Sequence, residues 1–275
     1  MTVPDPKRTG KFIQVPCGKC EACLTNKASS WYVRLKYEYL NSRYAVHCTL
    51  TYSDDNLPLR VCDNHLVADV SRRDVQKYHY RLRKHLGEKS KDVKYFLVSE
   101  YGPNPINGWL YRPHYHVIYF NLDPEYYELV KTCWNKGHVE FKTVVDNTIR
   151  YLSGYCIEKL FQSPYAEKNF TFISKGIGKS YVEKFRNFHF GQLDRFYTPL
   201  DGKRYPMPRY YKERLYDEDE RAAFSEVCKL RSDAVFDSQL AQVGGNLEDL
   251  FQRQYEIRSN FVRKCRQKRN KKKSI

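Results

Sequence analysis

A chain of 275 residues with 41% hydrophobic content has room for one large domain or a core with appendages, and it can bury a sizeable core. A formal charge of +16, with 24 Tyr among 15% aromatic residues, points to a polyanion: Lys and Arg neutralise phosphates, and aromatic faces stack on unpaired bases. No stretch approaches the run of about 18 apolar residues that spans a bilayer. The opening MTVPDPKRTGKF lacks the apolar core of a signal peptide, so no membrane partner is expected and a cytoplasm is the expected compartment. Nine cysteines, an odd number, read as buried thiols or metal ligands in a reducing compartment rather than as a disulfide framework.

In chain order, residues 1–43 hold a Pro- and Cys-containing segment and then a helix expected over Leu24 to Tyr39, where Trp31, Leu35 and Tyr39 recur at helical spacing. YAVHCTLTY (44–52) reads as a strand, and Ser71 to Leu86 as a helix with Ser71 as its N-cap and Gly87 at its end. VKYFLVSEY (93–101) is a second strand, a breaker-rich loop follows, and PHYHVIYF (113–120) is a third. Asp123-Pro124 opens a helix to about Trp134, GHVEFKTVV (137–145) is a fourth strand, and Asp146 caps a helix expected to reach Leu160. The order β-α-β-β-α-β predicts an α+β fold with a ferredoxin-like, split-βαβ core over residues 44–160: a four- to five-stranded antiparallel sheet with helices on one face. Residues 161–275 read as a C-terminal extension, with a Tyr- and Pro-containing linker around Arg195 to Tyr211 and charged helical segments from about Lys212. Its end, RKCRQKRNKKK, carries Arg263, Lys264, Arg266, Lys268, Arg269, Lys271, Lys272 and Lys273 with no acid, and reads as a solvated tail that binds nucleic acid without sequence preference.

A strand's period of two puts His114 and His116 on one face. If the second and third strands pair antiparallel, the simplest register opposes Glu100 with His114 and points both side chains to that same face. Two imidazoles and a carboxylate can hold one divalent cation, Mg²⁺ or Mn²⁺, with positions left for water and phosphate oxygens. On the helix that follows, Tyr151, Tyr155 and Lys159 form a stripe with members about 40° apart, and the apolar set Ile149, Leu152, Cys156 and Leu160 is centred roughly 105° away. The tyrosines therefore flank the core stripe; in so tyrosine-rich a chain the segment alone leaves both packing and chemistry open. In the chemical reading a phenolate attacks a phosphodiester and Lys159 offsets the developing charge.

Three segments in this order, YAVHCTLTY, SEYG with RPHYHVIYF, and YLSGYCIEK, resemble the HUH endonucleases of rolling-circle replication. The VPCGKCEAC segment, the Thr-Leu-Thr-Tyr strand with Leu57-Pro58, and Glu100-Tyr-Gly are similar to those of the replication initiators of gokushoviruses, bacteriophages of the Microviridae. The resemblance implies the HUH endonuclease fold, with His114, His116 and Glu100 as metal ligands and Tyr151 and Tyr155 as nucleophiles. Thr49 and Thr51 match the family's first motif, and Tyr115, central in His-x-His, departs from its usual aliphatic residue. It also implies a reaction: one phenol nicks a single-stranded or locally melted origin, leaving a 5′-phosphotyrosine and a 3′-OH that a host polymerase extends. The second phenol then lets the strand be rejoined into a circle, in the cytoplasm of a bacterial host.

Cys17, Cys20 and Cys23 offer three thiolates for a structural Zn²⁺, which needs a fourth ligand; Cys48, Cys62 and His65 are candidates. Gly176-Ile-Gly-Lys-Ser180 lacks the first glycine of a P-loop, at Ile173, so unwinding is expected to fall to a host helicase. His79, His85, His138 and His189 show no partner pattern. Against the endonuclease stand a relaxase or transposase of the same chemistry and a non-catalytic, basic single-strand binding or packaging protein, which needs neither the His pair nor the Tyr pair.

Overall fold

The computed structural model describes residues 2–4, 12–102, 112–155, 165–190 and 197–273. They fall into two compact units, Ala28–Asn187 with Tyr197–Pro208, and Met1–Lys27 with Phe188–Phe196 and Arg209–Ile275. A short ribbon of β1 (Thr2–Pro4) and β2 (Phe12–Gln14) precedes α1 (Glu21–Leu40), which begins a turn earlier than its apolar spacing suggests. There follow β3 (Ala45–Thr51), the hairpin β4 (Leu59–Cys62) and β5 (His65–Ala68), α2 (Arg72–Leu86), β6 (Lys94–Tyr101), β7 (Pro113–Phe120), α3 (Tyr127–Cys133), β8 (Val139–Thr143) and α4 (Asp146–Tyr155). After them come β9 (Thr171–Ile173), α5 (Ser180–Phe190) and a second hairpin, β10 (Tyr197–Leu200) with β11 (Lys203–Pro206).

The central sheet is antiparallel throughout, in the order β8-β3-β7-β6-β9. Its first four strands and the helices α2 and α3 are the split-βαβ core, and β9 adds a fifth strand at the β6 edge. The fold is thus α+β, as the element order predicts.

Alternation along the strands assigns the two faces. Cys48, Leu50, Leu97, Tyr101, Tyr115, Val117 and Tyr119 point to one face and pack against Val75, Tyr78 and Leu82 of α2 and Val130 and Cys133 of α3. This core is rich in tyrosine because each hydroxyl has a built partner. Tyr78 and Tyr119 share a hydrogen bond of 2.6 Å, Tyr52 and Tyr115 one of 2.9 Å, and Ser71 N–H donates to the Tyr115 hydroxyl at 2.7 Å. A buried hydroxyl left without a partner costs about 1–3 kcal/mol. Tyr115 therefore replaces an aliphatic residue between the two histidines without penalty, since it faces away from them into the core. Ser71 caps α2 by accepting from Asp74 N–H at 3.2 Å, and Gly87 ends the helix at φ +55°.

The opposite face bears Phe96, Val98, Glu100, His114, His116, Ile118, His47 and Thr49. Sequence order leads one to expect helices on one face only. The two helices of the split pattern do share a face, but α1 and α4 cover the other, because Phe96, Val98 and Ile118 are apolar and buried and need cover as well. Trp31 of α1 packs on Phe96 with ring centroids 5.4 Å apart. Asp146, expected to cap α4, accepts hydrogen bonds from Tyr32 at 2.8 Å, Lys36 at 3.0 Å and Arg150 at 2.6 Å, which ties α4 to α1.

In the other unit lie α6 (Arg209–Leu215), α7 (Glu218–Ala241) and α8 (Leu247–Lys273). Asp217 and Glu220 form a reciprocal capping box on α7, and Gly244 and Gly245, at φ +65° and +81°, turn the chain towards α8. The basic run expected as a solvated tail instead forms the last turns of α8. Lys, Arg and Gln are good helix formers, and cations suit the carbonyl end of a helix. Residues 197–206, read from sequence as linker, form the β10–β11 hairpin. Among the described residues no helix is long and apolar enough to cross a membrane.

Candidate active site

The β6–β7 register opposes Glu100 with His114 and Val98 with His116. One oxygen of Glu100, Oε2, then lies 3.3 Å from Nε2 of His114 and 3.0 Å from Nε2 of His116, and all three donor atoms fall within 4.8 Å of one another. Glu100 is buried, and among the described residues no N–H or O–H is aimed at Oε2 in hydrogen-bond geometry.

The outer ring nitrogens explain why. Nδ1 of His114 is 3.3 Å from the Arg112 carbonyl, which can only accept, so the proton belongs on Nδ1 and Nε2 presents a lone pair. Nδ1 of His116 faces Nε2 of His47 at 3.2 Å and the Thr49 hydroxyl at 3.4 Å. Two imidazole lone pairs and a carboxylate oxygen converging on one point, each ring held from behind, is the donor set of a divalent cation site. Burial pushes the Glu100 carboxyl up, but the two imidazoles and the Tyr155 hydroxyl outweigh it and hold it at about 2, so the ligand is anionic at any ordinary pH. Burial lowers His116 despite the pull of Glu100, which favours the neutral, ligating imidazole.

α4 brings the tyrosine pair to this point. Ile149 and Leu152 are buried while Tyr151 is 52% exposed, so the tyrosine stripe does flank the apolar one. Tyr155 donates to Oε1 of Glu100 at 2.5 Å, and its hydroxyl is also in hydrogen-bond contact with that of Tyr151. The two phenol rings meet edge to face, with centroids 4.6 Å apart. Both lie about the same distance from the His116 ring, 6.0 Å for Tyr151 and 6.2 Å for Tyr155. Burial, and then the charge of Glu100, push the Tyr155 phenol well above its usual range. Burial raises Tyr151 too, against the Tyr155 hydrogen bond, which lowers it.

Residues 45–160 match the ORF2 family of phage replication-associated proteins. That segment belongs to this family. It holds Glu100, His114, His116, Tyr151 and Tyr155. Replication-associated protein VP4 of Bdellovibrio phage phiMH2K is 27% identical over 223 residues, covering 72% of this chain and 66% of its own length. Replication-associated protein ORF2 of Spiroplasma virus 4 is 26% identical over 257 residues, 83% of this chain and 76% of its own. Replication-associated protein ORF4 of Chlamydia phage 1 is 26% identical, over 73% of this chain and 53% of its own. The chain thus spans about two thirds, three quarters and half the length of these relatives. The N-terminal nuclease domain of minute virus of mice non-structural protein 1 is 9% identical over 72% of this chain and 98% of that one, at a TM-score of 0.24, too slight a likeness to inform the site.

The family segment also holds two residues that sequence reasoning gave no part. His47 stacks on His116 with ring centroids 5.2 Å apart, and burial and then His116 hold its pKa at about 4, so it stays neutral behind the ligand. Arg112, buried, donates to Asp54 Oδ1 at 2.5 Å and to the Tyr52 carbonyl at 2.7 Å, and so fixes the start of β7 beside His114. Of the expected site residues, Thr49 touches His116, while Thr51 pairs with His114 across the strands and its hydroxyl donates to the His138 carbonyl at 3.2 Å. Lys159 lies outside the described residues, as do Cys156 and Leu160. Arg263 and Lys264 are exposed on α8; the side chains of Arg266, Lys268, Arg269, Lys271, Lys272 and Lys273 lie outside the described ones.

Proposed function

We propose that this protein initiates rolling-circle replication by nicking single-stranded or locally melted DNA at an origin through a tyrosine. One observation carries the reading: two phenols and a three-ligand cation site share Glu100, with Tyr155 on Oε1 and the imidazoles facing Oε2. A packing role for the tyrosines gives no reason for that convergence, and neither does a purely binding role for the sheet.

The step is a transesterification. A tyrosine oxygen forms a bond to the scissile phosphorus, the bond from phosphorus to the 3′ oxygen breaks, and the phenolic proton is balanced by the proton the 3′-OH gains. Water is not consumed, so the phosphodiester's energy is kept in the 5′-phosphotyrosine and the strand can be rejoined. Glu100, His114 and His116 would hold Mg²⁺ or Mn²⁺, which when bound supplies positive charge to the phosphate and favours phenolate over phenol. Glu100 positions Tyr155, Tyr155 positions Tyr151, and Lys159, one turn further on, is the proposed counter-charge. The second tyrosine allows a regenerated origin to be cut while the first holds the strand, so that the freed 3′-OH closes a circle. A host polymerase would extend the 3′-OH and a host helicase would unwind. The +16 charge and the basic end of α8 supply sequence-independent attraction to the strand.

The test is incubation with a labelled single-stranded origin oligonucleotide and Mn²⁺, followed by denaturing electrophoresis. A covalent adduct is expected from the wild type and none from the double variant Tyr151→Phe, Tyr155→Phe. An adduct that persists in the double variant removes the nucleophile assignment, and a protein that only binds the oligonucleotide reduces to the non-catalytic alternative.

A further inference from the structure

The proposed reaction makes no use of Cys17, Cys20 and Cys23. Their sulfur atoms all lie within 4.8 Å of one another, with Cys17 Sγ 3.9 Å from Cys23 Sγ. Three features of the local chain bring them together. Gly18, at φ +72°, lets the backbone double back after Cys17, a conformation that costs any other residue strain. The turn aims Cys20 N–H at Cys17 Sγ at 3.3 Å, a contact that stabilises sulfur as thiolate. Cys20 then stands just ahead of α1 (Glu21–Leu40), its carbonyl accepting from Leu24 N–H at 2.9 Å, so that Cys23 in the first turn returns to the same side.

The spacing discriminates between uses of three cysteines. A disulfide needs sulfurs about 2.0 Å apart, and all three thiols are free. An iron–sulfur cluster attaches its thiolates to separate irons and spreads them more widely than this triplet. A tetrahedral ion with bonds of about 2.3 Å to sulfur places its thiolates roughly 3.8 Å apart, close to the 3.9 Å observed. All three residues are half-buried, which leaves an approach for a fourth ligand.

We propose that Cys17, Cys20 and Cys23 bind one Zn²⁺ as three thiolates, each thiol giving its proton to solvent, with the fourth position filled by a ligand from outside the triplet. The ion fixes the Pro- and Cys-containing segment that leads into α1, where no extended core is available to do so. The site is distinct from the Glu100, His114 and His116 set in donor chemistry, soft sulfur against imidazole and carboxylate, so the two select different ions.

The full-length chain carrying His114→Ala and His116→Ala, loaded with Zn²⁺ and desalted, should retain about one zinc per chain by elemental analysis. Adding Cys20→Ser and Cys23→Ser should remove it, whereas Cys228→Ser, at an exposed cysteine, should not. Co²⁺ in place of Zn²⁺ should give thiolate charge-transfer absorption and tetrahedral ligand-field bands. Alkylation provides a readout on the unmutated triplet: zinc should protect Cys17, Cys20 and Cys23 from iodoacetamide and a chelator should expose them. No zinc in the histidine variant, zinc retained by the serine variants, or alkylation of the triplet indifferent to zinc would each overturn the site. None of these readouts depends on DNA cleavage.

Discussion

Tyr155 donates to one oxygen of Glu100 at 2.5 Å while the other oxygen of that carboxylate faces Nε2 of His116 at 3.0 Å. A single side chain therefore belongs both to the cation site and to one of the two phenols, and the phenols are not equivalent. The carboxylate stabilises the protonated form of Tyr155, whose pKa is driven up by burial and then by Glu100; Tyr151 is more exposed and has no carboxylate of its own.

Tyr151 is accordingly expected to make the first cut. In single-turnover cleavage of an origin oligonucleotide, Tyr151→Phe should lower the rate of adduct formation by at least about 10³-fold, the scale on which loss of a nucleophile acts. Tyr155→Phe should leave the first cut within about tenfold and abolish rejoining of a pre-nicked strand. The reverse ranking would assign the opening role to Tyr155.

His47 supports His116 from the side away from the ligand atom. His47→Ala should weaken Mn²⁺ binding about 10–100-fold, the usual cost of losing such a partner, with little change in thermal stability. Isothermal titration of Mn²⁺ checks this, and an unchanged affinity would leave His47 a packing residue.

Most of the site was legible because it rests on two short-range periods. The period of two put His114, His116 and Glu100 on one face, and the helical period put Tyr151 and Tyr155 beside the apolar stripe of Ile149 and Leu152. His47 was not legible: it shares the Thr49 face of β3, but its role needs β3 to lie next to β7, a pairing between strands 69 residues apart at His47 and His116. The cover given by α1 has the same origin, a long-range choice with no local signature. The two hairpins were missed for a different reason. Asp201-Gly202, at φ +48° and +71°, and Asp63-Asn64, at φ +47° and +62°, are turn pairs that favour hairpins, but the flanking strands are short and largely exposed, so no apolar alternation marks them. β9 has only three residues, too few to show a period.

Gly137 is a position where the fold admits no side chain. A Cβ there would stand 2.3 Å from the Thr51 carbonyl oxygen and 2.5 Å from Ser53 N, where β3 ends against the turn into β8. The same carbonyl accepts from Trp134 Nε1 at 2.9 Å. Gly137→Ala should destabilise the protein by about 1–3 kcal/mol or more, seen as a lower denaturation midpoint in urea. A midpoint equal to that of the wild type would contradict the close approach.

His79 sets a pH dependence away from the cation site. It is buried in α2, stacks on Tyr95 with centroids 3.9 Å apart, and its Nε2 has no partner among the described residues. Burial, and then Arg83, lower its pKa to about 3, so the folded protein keeps it neutral while the unfolded chain protonates near 6.5. Between those values the unfolded state binds more protons, and the histidine's contribution to stability is lost as pH falls from about 6.5 towards 3. His79→Phe, which keeps an aromatic ring on Tyr95, should flatten that part of the stability profile. An identical acid limb in the variant would place its origin elsewhere.

The central claim, that a tyrosine at this cation site takes up DNA, is tested most directly by mass spectrometry of the protein after reaction with an origin oligonucleotide and Mn²⁺. The prediction is a 5′-phosphonucleotide on the peptide containing Tyr151 and Tyr155, absent when Mn²⁺ is chelated and absent from His114→Ala although that variant still binds the oligonucleotide. Modification at any other residue, or an adduct that forms equally well with His114 replaced, would contradict it.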